Sequence, residues 1–319
     1  MKKYFLIMSI VFLSIGSKLY AQEEIIYNQY HFNYYLVNPA LAGAEPCSHF
    51  MLTNKLQWVG MDDFPMTQTF SYRTRAWDNV GLGAYVYNDR NGYSNRMGFQ
   101  ATFAYHIPLS AGRYYSKKVS LDRQLSFGVS FKMNYFSINQ DLLDDESTAG
   151  DNAFANPSGF SPNANFGVYY KSYGFFTGLS LTNLIPVAPD IFGDKENPAP
   201  FTGFFFLGKT FEMESDTYLE PSIMLKANEY SNVGGDLNLK FGQEVSKDFG
   251  YWVQGSYRHS FDKDNGQSLV LMPMGGVRIG KIQIAYAFSL DLNNLVTQSY
   301  GSHEIMLGYS FCIPKYFCR

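Results

Sequence analysis

Apolar and polar residues alternate strictly along residues 125–135, LSFGVSFKMNY. Every odd position carries an apolar side chain, and every even position carries a small or polar one. A repeat of two residues places successive side chains on opposite faces of a β-strand. This segment therefore predicts a strand with one apolar and one polar face. The same alternation recurs in residues 99–107, 237–241, 282–290 and 305–311.

The same pattern predicts fourteen strands along the whole chain. Their expected ranges are 50–58, 66–74, 80–88, 97–107, 124–137, 164–171, 174–182, 202–212, 218–226, 234–242, 249–259, 268–279, 281–290 and 302–311. A tilted strand of about ten residues crosses the hydrocarbon layer of a membrane, and most of these segments have that length. An even number of strands is typical of single-chain bacterial barrels with both termini in the periplasm.

The connections between the predicted strands differ in length. Long polar segments follow odd-numbered strands, above all residues 138–163 and 183–201, whereas most segments after even-numbered strands are short. Residues 89–96 are expected to form a further loop on the long side, and the long segment 108–123 is an exception on the short side. Outer-membrane barrels have short periplasmic turns and longer extracellular loops, so the long side is predicted to be extracellular.

Composition favours a membrane barrel over a sandwich. Phe, Tyr and Trp make up 18% of the chain, with 28 Phe and 25 Tyr. The alternative is an exported all-β sandwich whose apolar rows pack against each other. Aromatic-rich strands and one-sided loops fit contact with lipid better than a shared core. We therefore predict an all-β protein, a transmembrane antiparallel outer-membrane β-barrel of about 14 strands.

The first 21 residues have the features of a secretory signal peptide. Two lysines precede an apolar run at residues 4–15, and Ala21 supplies a small residue at the expected cleavage site. The run is too short to span a bilayer, and no later stretch has 18 consecutive apolar residues. We expect a signal peptide at 1–21, a pre-barrel segment in the lumen or on the periplasmic side at 22–49, the barrel at 50–311, and a short periplasmic tail at 312–319.

Neither charge nor motifs indicate an enzyme or a nucleic-acid-binding protein. Removing residues 1–21 removes three of the 25 lysines and arginines, which leaves 22 basic against 28 acidic residues. Such a balance offers no basic stripe for nucleic acid. The five histidines are scattered, and the chain has no nucleophile elbow, metalloprotease pair or phosphate-binding loop. We expect no catalytic residue, no cofactor, no metal and no nucleic-acid partner.

The chain contains three cysteines, Cys47, Cys312 and Cys318. Export would place them in an oxidising compartment, and the first and last strands are neighbours in a closed barrel. We predict one disulfide, either between Cys312 and Cys318 or between Cys47 and one of these two. The odd number leaves one thiol over. No histidine at ligand spacing accompanies the cysteines, so we do not expect them to bind a metal.

The polar faces of the strands are predicted to line the lumen. One interpretation is a charged pore, and the other, which we favour, is the ordinary polar lining of such barrels. Inward glycines and serines leave room for a plug, and the tyrosine-rich segment 22–46 is expected to pack inside or under the barrel. The charged and amide residues expected to point inward are Arg73, Lys132, Asn134, Glu220, Lys226, Lys240, Arg258 and Gln283.

Four segments carry motifs that are specific in combination: NQYHFNYYLVNPALAGA, KLQWVGMDDFPMT, LSFGVSFKMNYF and SYGSHEIMLGYSF. The motif residues are Asn38, Pro39, Ala40, Ala42, Gly43, Gln57, Trp58, Gly60, Pro65, Thr67, Gly301, Ser302, His303 and Glu304. Asn-Pro followed by Ala favours a fixed turn before strand one, and Trp58 is expected in an aromatic girdle. With these motifs, nearly the whole mature chain resembles the PorP/SprF family of the Bacteroidetes type IX secretion system. Lys55 stands where an arginine is expected, which preserves charge but not a planar fork.

The resemblance implies an integral outer-membrane protein with both termini in the periplasm. Such proteins dock or anchor secreted proteins that carry a C-terminal sorting domain, for example a surface adhesin, or couple to periplasmic secretion and gliding machinery. The expected partners are therefore a secreted protein, periplasmic type IX components and the lipid bilayer. Residues 138–163 and 183–201 are the expected surface for a secreted partner, and residues 108–123 the one for periplasmic machinery. The alternative is a FadL-like or porin-like transporter of a small solute.

Overall fold

The computed structural model of the protein describes residues 30–109, 123–139, 158–185, 187, 199–230, 232–261, 269–292 and 299–312. The expected signal peptide lies outside the described residues, as does Cys318. Fourteen strands dominate the fold. They are β1 (Ser48–Leu56), β2 (Met66–Trp77), β3 (Val80–Asn91), β4 (Ser94–Pro108), β5 (Arg123–Ile138), β6 (Ser158–Ser172), β7 (Phe175–Thr182), β8 (Thr202–Lys209), β9 (Thr217–Asn228), β10 (Val233–Glu244), β11 (Phe249–Ser260), β12 (Leu269–Ile279), β13 (Ile282–Asp291) and β14 (Ser302–Phe311).

The strands form one closed antiparallel barrel. Each strand pairs with the next along the chain, and β14 pairs with β1, with Lys55 opposite Glu304. Phe211–Glu212 continues β8 beyond Thr210 and pairs with β9 in the register of the main strand. Closure leaves no edge whose backbone donors would face lipid without partners. The predicted barrel of fourteen strands is confirmed.

Burial along the strands follows the predicted alternation, with the apolar face on the outside. On β5, Phe127, Val129 and Phe131 are 37%, 52% and 49% exposed, whereas Lys132 and Asn134 are 2% and 0% exposed. A soluble domain buries its apolar face instead. In an outer-membrane barrel the exposed apolar rows face the acyl chains, and the polar rows face the lumen.

The hairpin between β3 and β4 corrects one prediction. The loop expected at residues 89–96 is wrong, because β3 continues to Asn91 and β4 begins at Ser94. Gly92 adopts a positive φ of 55°, which suits a two-residue hairpin turn. Gly92 and Tyr93 are the two residues of the turn, and the pairing of Asn91 with Ser94 closes it.

Two further boundaries differ from the predicted ones. β1 ends at Leu56 instead of 58, because Trp58 has a positive φ of 51° and leaves the extended conformation. β6 begins at Ser158 instead of 164, because its first residues pair with β5 as far as Ser137. The connection between β5 and β6 is therefore shorter than expected.

The two ends of the barrel differ in the length of their connections. We call the end where β1 starts and β14 finishes the disulfide end, because a disulfide joins those two positions. Its short turns are residues 78–79, 173–174, 213–216, 245–248 and 280–281. The opposite end, here the loop end, carries residues 57–65, 183–201 and 292–301. The long segment 108–123 was predicted to be an exception among the short connections of this end. Its residues 110–122 lie outside the described residues.

Candidate functional site

Residues 30–46, here called the plug, precede β1 and lie within the ring of strands. Tyr30, Tyr35 and Asn38 have no exposed surface. Two single-turn 3₁₀ helices, Tyr34–Leu36 and Pro39–Leu41, shape the plug. In the described part of the chain no helix is both long and apolar enough to cross a membrane.

Local hydrogen bonds explain why the plug forms these turns. The Asn33 side chain caps the first turn and accepts from the backbone N–H of Tyr35 at 3.3 Å. Asn38 does the same for the second turn, accepting from Ala40 N at 2.9 Å. Asparagine is a preferred N-cap, and proline fits the first position of a turn because no partner is needed for its missing N–H. The Asn-Pro-Ala motif therefore builds a capped turn against the barrel wall.

Inward-facing glycines of neighbouring strands receive the plug. A Cβ atom added at Gly81, Gly128 or Gly167 would overlap plug atoms between residues 38 and 42. At Gly128 the overlapping atoms belong to the plug backbone, which cannot rotate away as a side chain can. These glycines form a trough, and any larger residue would fill the space that the plug occupies.

Polar contacts tie the plug to strands around the barrel. Donor and acceptor atoms lie 2.6–3.1 Å apart in the pairs Tyr35 Oη with Thr102 Oγ1, Ser180 Oγ with Val37 O, His106 Nε2 with Ala42 O, and Asn38 Nδ2 with Val168 O. A buried polar group that loses its partner costs about 1–3 kcal/mol. These bonds therefore hold the plug in one position inside the barrel.

A buried ion pair anchors the start of the plug. Arg258 donates two hydrogen bonds to Asp236, from Nε to Oδ1 at 2.8 Å and from Nη2 to Oδ2 at 2.7 Å. Tyr30 Oη donates to Asp236 Oδ2 at 2.9 Å, and His31 Nε2 lies 3.7 Å from the same oxygen. Burial lowers the pKa of His31 to about 3, so this imidazole is neutral at ordinary pH. The carboxylate is therefore held by Arg258 and Tyr30.

The base of the plug is fastened at the disulfide end. Of the pairings left open by the sequence, the structure contains the disulfide between Cys47 and Cys312, with Cα atoms 4.3 Å apart. Closure of the barrel brings these residues together across the β1–β14 seam. Nearby, Glu45 of the plug lies 2.8 Å from His49 and 3.7 Å from Arg73. The plug is thus linked to β1, β2 and the end of β14.

Four charged side chains and one threonine form an inward row across five neighbouring strands near the loop end. The row follows the strand register and consists of Glu304, Lys55, Thr67, Asp89 and Arg96. Each of these residues is less than 9% exposed, and Thr67 Oγ1 donates to Asp89 Oδ1 at 2.6 Å. Glu304 lies opposite Lys55 and Asp89 lies opposite Arg96, so each charge has a neighbour of opposite sign on the adjacent strand.

The other motif residues assemble the rim of the loop end. Val59 N donates to Gly301 O at 2.9 Å, and Trp58 N donates to Ser302 Oγ at 3.1 Å. The Trp58 indole N–H donates to Asp291 at 2.9 Å. Asp291 has the inward phase of its strand, so the assignment of Trp58 to an outer aromatic girdle is wrong. The rim therefore joins segments from the two ends of the sequence.

The motif residues fall into two places. Asn38, Pro39, Ala40, Ala42 and Gly43 belong to the plug. The remaining motif residues lie at the loop end and are Gln57, Trp58, Gly60, Pro65, Thr67, Gly301, Ser302, His303 and Glu304. The sequence analysis expected inward glycines to leave room for a plug, but it named neither the glycines that receive the plug nor the partners of the charge row. Glycines in the inward phase of a strand were the available signal.

The described residues contain no group of three or more His, Cys, Asp or Glu residues placed to hold a metal ion. The site that the structure offers is therefore the lumen with its plug, together with the surfaces at the two ends of the barrel.

Comparison with known proteins places this architecture in a family. Residues 19–309 match the family described as "Type IX secretion system membrane protein PorP/SprF". No curated protein sequence matches the chain significantly. Among solved structures, the deltaS2 mutant of the monoaromatic hydrocarbon channel TodX is similar, with a TM-score of 0.51, 11% identity, and 86% of this chain and 93% of that chain covered. A Pseudomonas aeruginosa FadL homologue gives a TM-score of 0.48, 10% identity and 86% and 92% coverage. At these identities the likeness shows the fold alone.

Proposed function

Because the chain belongs to the PorP/SprF family of type IX secretion system membrane proteins, we propose that it is a plugged outer-membrane scaffold. In this role it docks or anchors secreted proteins that carry a C-terminal sorting domain, such as a surface adhesin, and couples them to periplasmic secretion components. The family and the barrel fold make it an outer-membrane component of this secretion system. Docking or anchoring of a secreted protein is what we propose beyond this membership.

The plug is the observation that carries the proposal. Its buried residues, including Tyr30, Tyr35 and Asn38, occupy the lumen where a solute would have to pass. Close contact with the glycine trough and hydrogen bonds to several strands hold it in place. A porin needs an open aqueous channel through its barrel. A filled lumen favours a function carried out by the surfaces at the ends of the barrel.

The difference between the two ends of the barrel supports one membrane orientation. We place the disulfide end in the periplasm, because it carries the short turns at 78–79, 173–174 and 280–281. The Cys47–Cys312 disulfide suits that oxidising compartment. The loop end then faces outward, where residues 183–201 offer a surface to a secreted partner. In this orientation Pro108 and Arg123, which end β4 and begin β5 at the disulfide end, face the periplasm, where secretion components are expected.

Affinity isolation from native membranes tests the docking function. The tagged chain is expected to recover type IX secretion components together with a secreted protein that carries a C-terminal sorting domain. A variant with residues 184–199 replaced by a short Gly-Ser linker is expected to lose the secreted protein while it retains the periplasmic components. This deletion leaves Asn183, whose side chain donates to Pro200 O at 3.0 Å, in place. Replacement of residues 262–268 at the same end is the control.

A FadL-like or porin-like transporter of a small solute is the alternative function. Planar-bilayer recordings separate the two, because the plugged scaffold is expected to show no steady conductance. An open pore, together with failure to recover any secretion component or secreted protein, would reverse the assignment.

A further inference from the structure

Arg75 lies on the inner wall of the barrel at the disulfide end, two residues before β2 ends at Trp77. It faces inward and is 5% exposed. Its Nη2 donates to Gln124 Oε1 at 3.0 Å. The Gln124 amide donates in turn to Ser126 Oγ at 2.8 Å and reaches the carbonyl of Ala44 at 3.5 Å. Arg75 is therefore held directly beneath the base of the plug.

Two donors of this guanidinium have no acceptor. Within the described part of the chain, Nε and Nη1 of Arg75 are buried and lack a hydrogen-bond partner. Arginine does not lose its proton in proteins, so this site cannot avoid the charge by titrating. A buried, unpaired charge costs several kcal/mol, and natural proteins almost always pair such a group. The site is therefore one anion short.

The charged groups near Arg75 in the described part of the chain do not supply this anion. Glu45 of the plug lies 3.7 Å from Arg73 and 2.8 Å from His49, so it is already paired. Lys171 adds another positive charge near Glu45. Asp78, in the turn that follows β2, is the acidic residue whose charge acts on Arg75, yet no ion pair joins them among the described residues. Counted over the residues that the structure describes, the local charge is positive.

We propose that Arg75 is a binding site for a single carboxylate, supplied by an acidic side chain of a protein partner that enters the disulfide-end mouth of the barrel. One uncompensated positive charge with two free N–H donors matches a monoanionic acceptor, and guanidinium groups bind carboxylates with well-defined geometry. A multiply charged phosphate would require further cations. The identity of the partner as a periplasmic protein rests on the proposed function, whereas the carboxylate site rests on Arg75 alone.

Arginine side-chain NMR tests the site directly. The mature chain contains nine arginines, so a detergent-solubilised barrel labelled with ¹⁵N-arginine gives few Nε–H signals. The Arg75→Lys variant identifies the signal of Arg75. Sodium acetate is then exchanged for sodium chloride at constant ionic strength, and a glutamate-rich hexapeptide is titrated separately. Arg278, which already pairs with Glu244 at a turn, serves as the internal control.

The Arg75 signal is expected to shift and saturate with acetate, while that of Arg278 stays in place. The peptide is expected to saturate the site at a concentration about tenfold lower, because a second acidic residue of the same chain adds binding at the basic mouth. An Arg75 signal that ignores both probes would overturn the proposal. So would an Asp78→Asn variant that by itself shifts the Arg75 signal as far as acetate does, since Asp78 would then be the counter-ion.

Saturation by acetate without any response to the peptide would overturn the protein source of the carboxylate. The titration uses only the purified chain, whereas the docking function is tested in native membranes. Failure of one experiment can therefore be distinguished from failure of the other.

Discussion

Gly128→Ala is expected to loosen the plug without changing the barrel wall. Gly128 faces the lumen, and an added Cβ atom would overlap the backbone of Pro39 and Ala40. The methyl group is small enough for β5 itself, where the neighbouring inward positions carry Ser126 and Ser130. The conflict is therefore confined to the contact between wall and plug.

The size of the effect follows from this contact. An extra methyl group in a well-packed site costs about 1–3 kcal/mol, and a contact with backbone belongs in the upper half of that range. In this region the seated plug is held by the hydrogen bonds of Val37, Asn38 and Ala42, each with a net contribution of about 1 kcal/mol. The free-energy cost of the added methyl group is therefore comparable to the stabilisation that these hydrogen bonds give the seated plug. At about 2–3 kcal/mol, the ratio of seated to displaced plug falls about 30- to 150-fold.

Two measurements follow the displaced plug. Conductance of the purified barrel in planar bilayers is expected to rise, and chymotrypsin is expected to cleave at Tyr34 and Tyr35, which mass spectrometry detects. Gly255→Ala is the matched control, because a Cβ atom there meets no atom within 4 Å. A folded Gly128→Ala barrel with unchanged conductance and unchanged protection of the plug would refute the trough as the seat of the plug.

Three other changes test the fastening of the plug. Asp236→Asn removes the buried carboxylate that accepts two hydrogen bonds from Arg258 and one from Tyr30, so the free energy of unfolding is expected to fall by about 3–5 kcal/mol, measured by urea titration of tryptophan fluorescence. Cys47→Ser removes the cross-link to Cys312, which closes a loop with a sequence separation of 265, and is expected to cost about 2–5 kcal/mol and lower the midpoint of heat-induced unfolding on gels. The folded state lowers the pKa of His31 from 6.5 to about 3 by burial. The folded state therefore disfavours the protonated imidazole of His31. The contribution of this residue to folding stability is fully present above pH 6.5 and is lost as the pH falls towards 3.

Each of these changes has its own control. Asp62→Asn, in an exposed turn of the loop end, removes the same charge without a buried partner, and equal loss of stability in both variants would contradict the anchoring role of Asp236. Cys318→Ser is expected to leave the heat-induced transition unchanged. His31→Asn is expected to flatten the acid-dependent decline, and an unchanged pH profile would show that another group causes it.

The strands could be predicted from sequence because alternation is a local property. In LSFGVSFKMNY each side chain is assigned to lipid or lumen by its position alone, and the exposures of Phe127 and Lys132 agree. The ends of the strands are less well predicted by the alternation of apolar and polar residues. The turn at Gly92 requires a positive φ that favours glycine, and the pattern of apolar residues does not reveal where β3 stops.

The contacts of the lumen could not be predicted, because they depend on closure and register. Lys55 and Glu304 come from the two ends of the sequence and meet only where β1 pairs with β14. Asp236 was not singled out, although Arg258 was expected to point inward, because nothing along the chain indicates which inward residues share a level. The plug was expected as a possibility, but the trough that receives it is defined by glycines on separate strands.

The trough also bears on why this barrel is filled. An inward glycine gives a strand no side chain to pack and weakens it, so several of them at one level need a physical reason. In an open channel, small inward residues would widen the pore, yet here Gly81, Gly128 and Gly167 each lie against plug atoms. The Asn38 side chain meets both Gly167 and the carbonyl of Val168. Wall and plug are therefore complementary in shape and in hydrogen bonding, and the plug is as much a part of this fold as the strands around it.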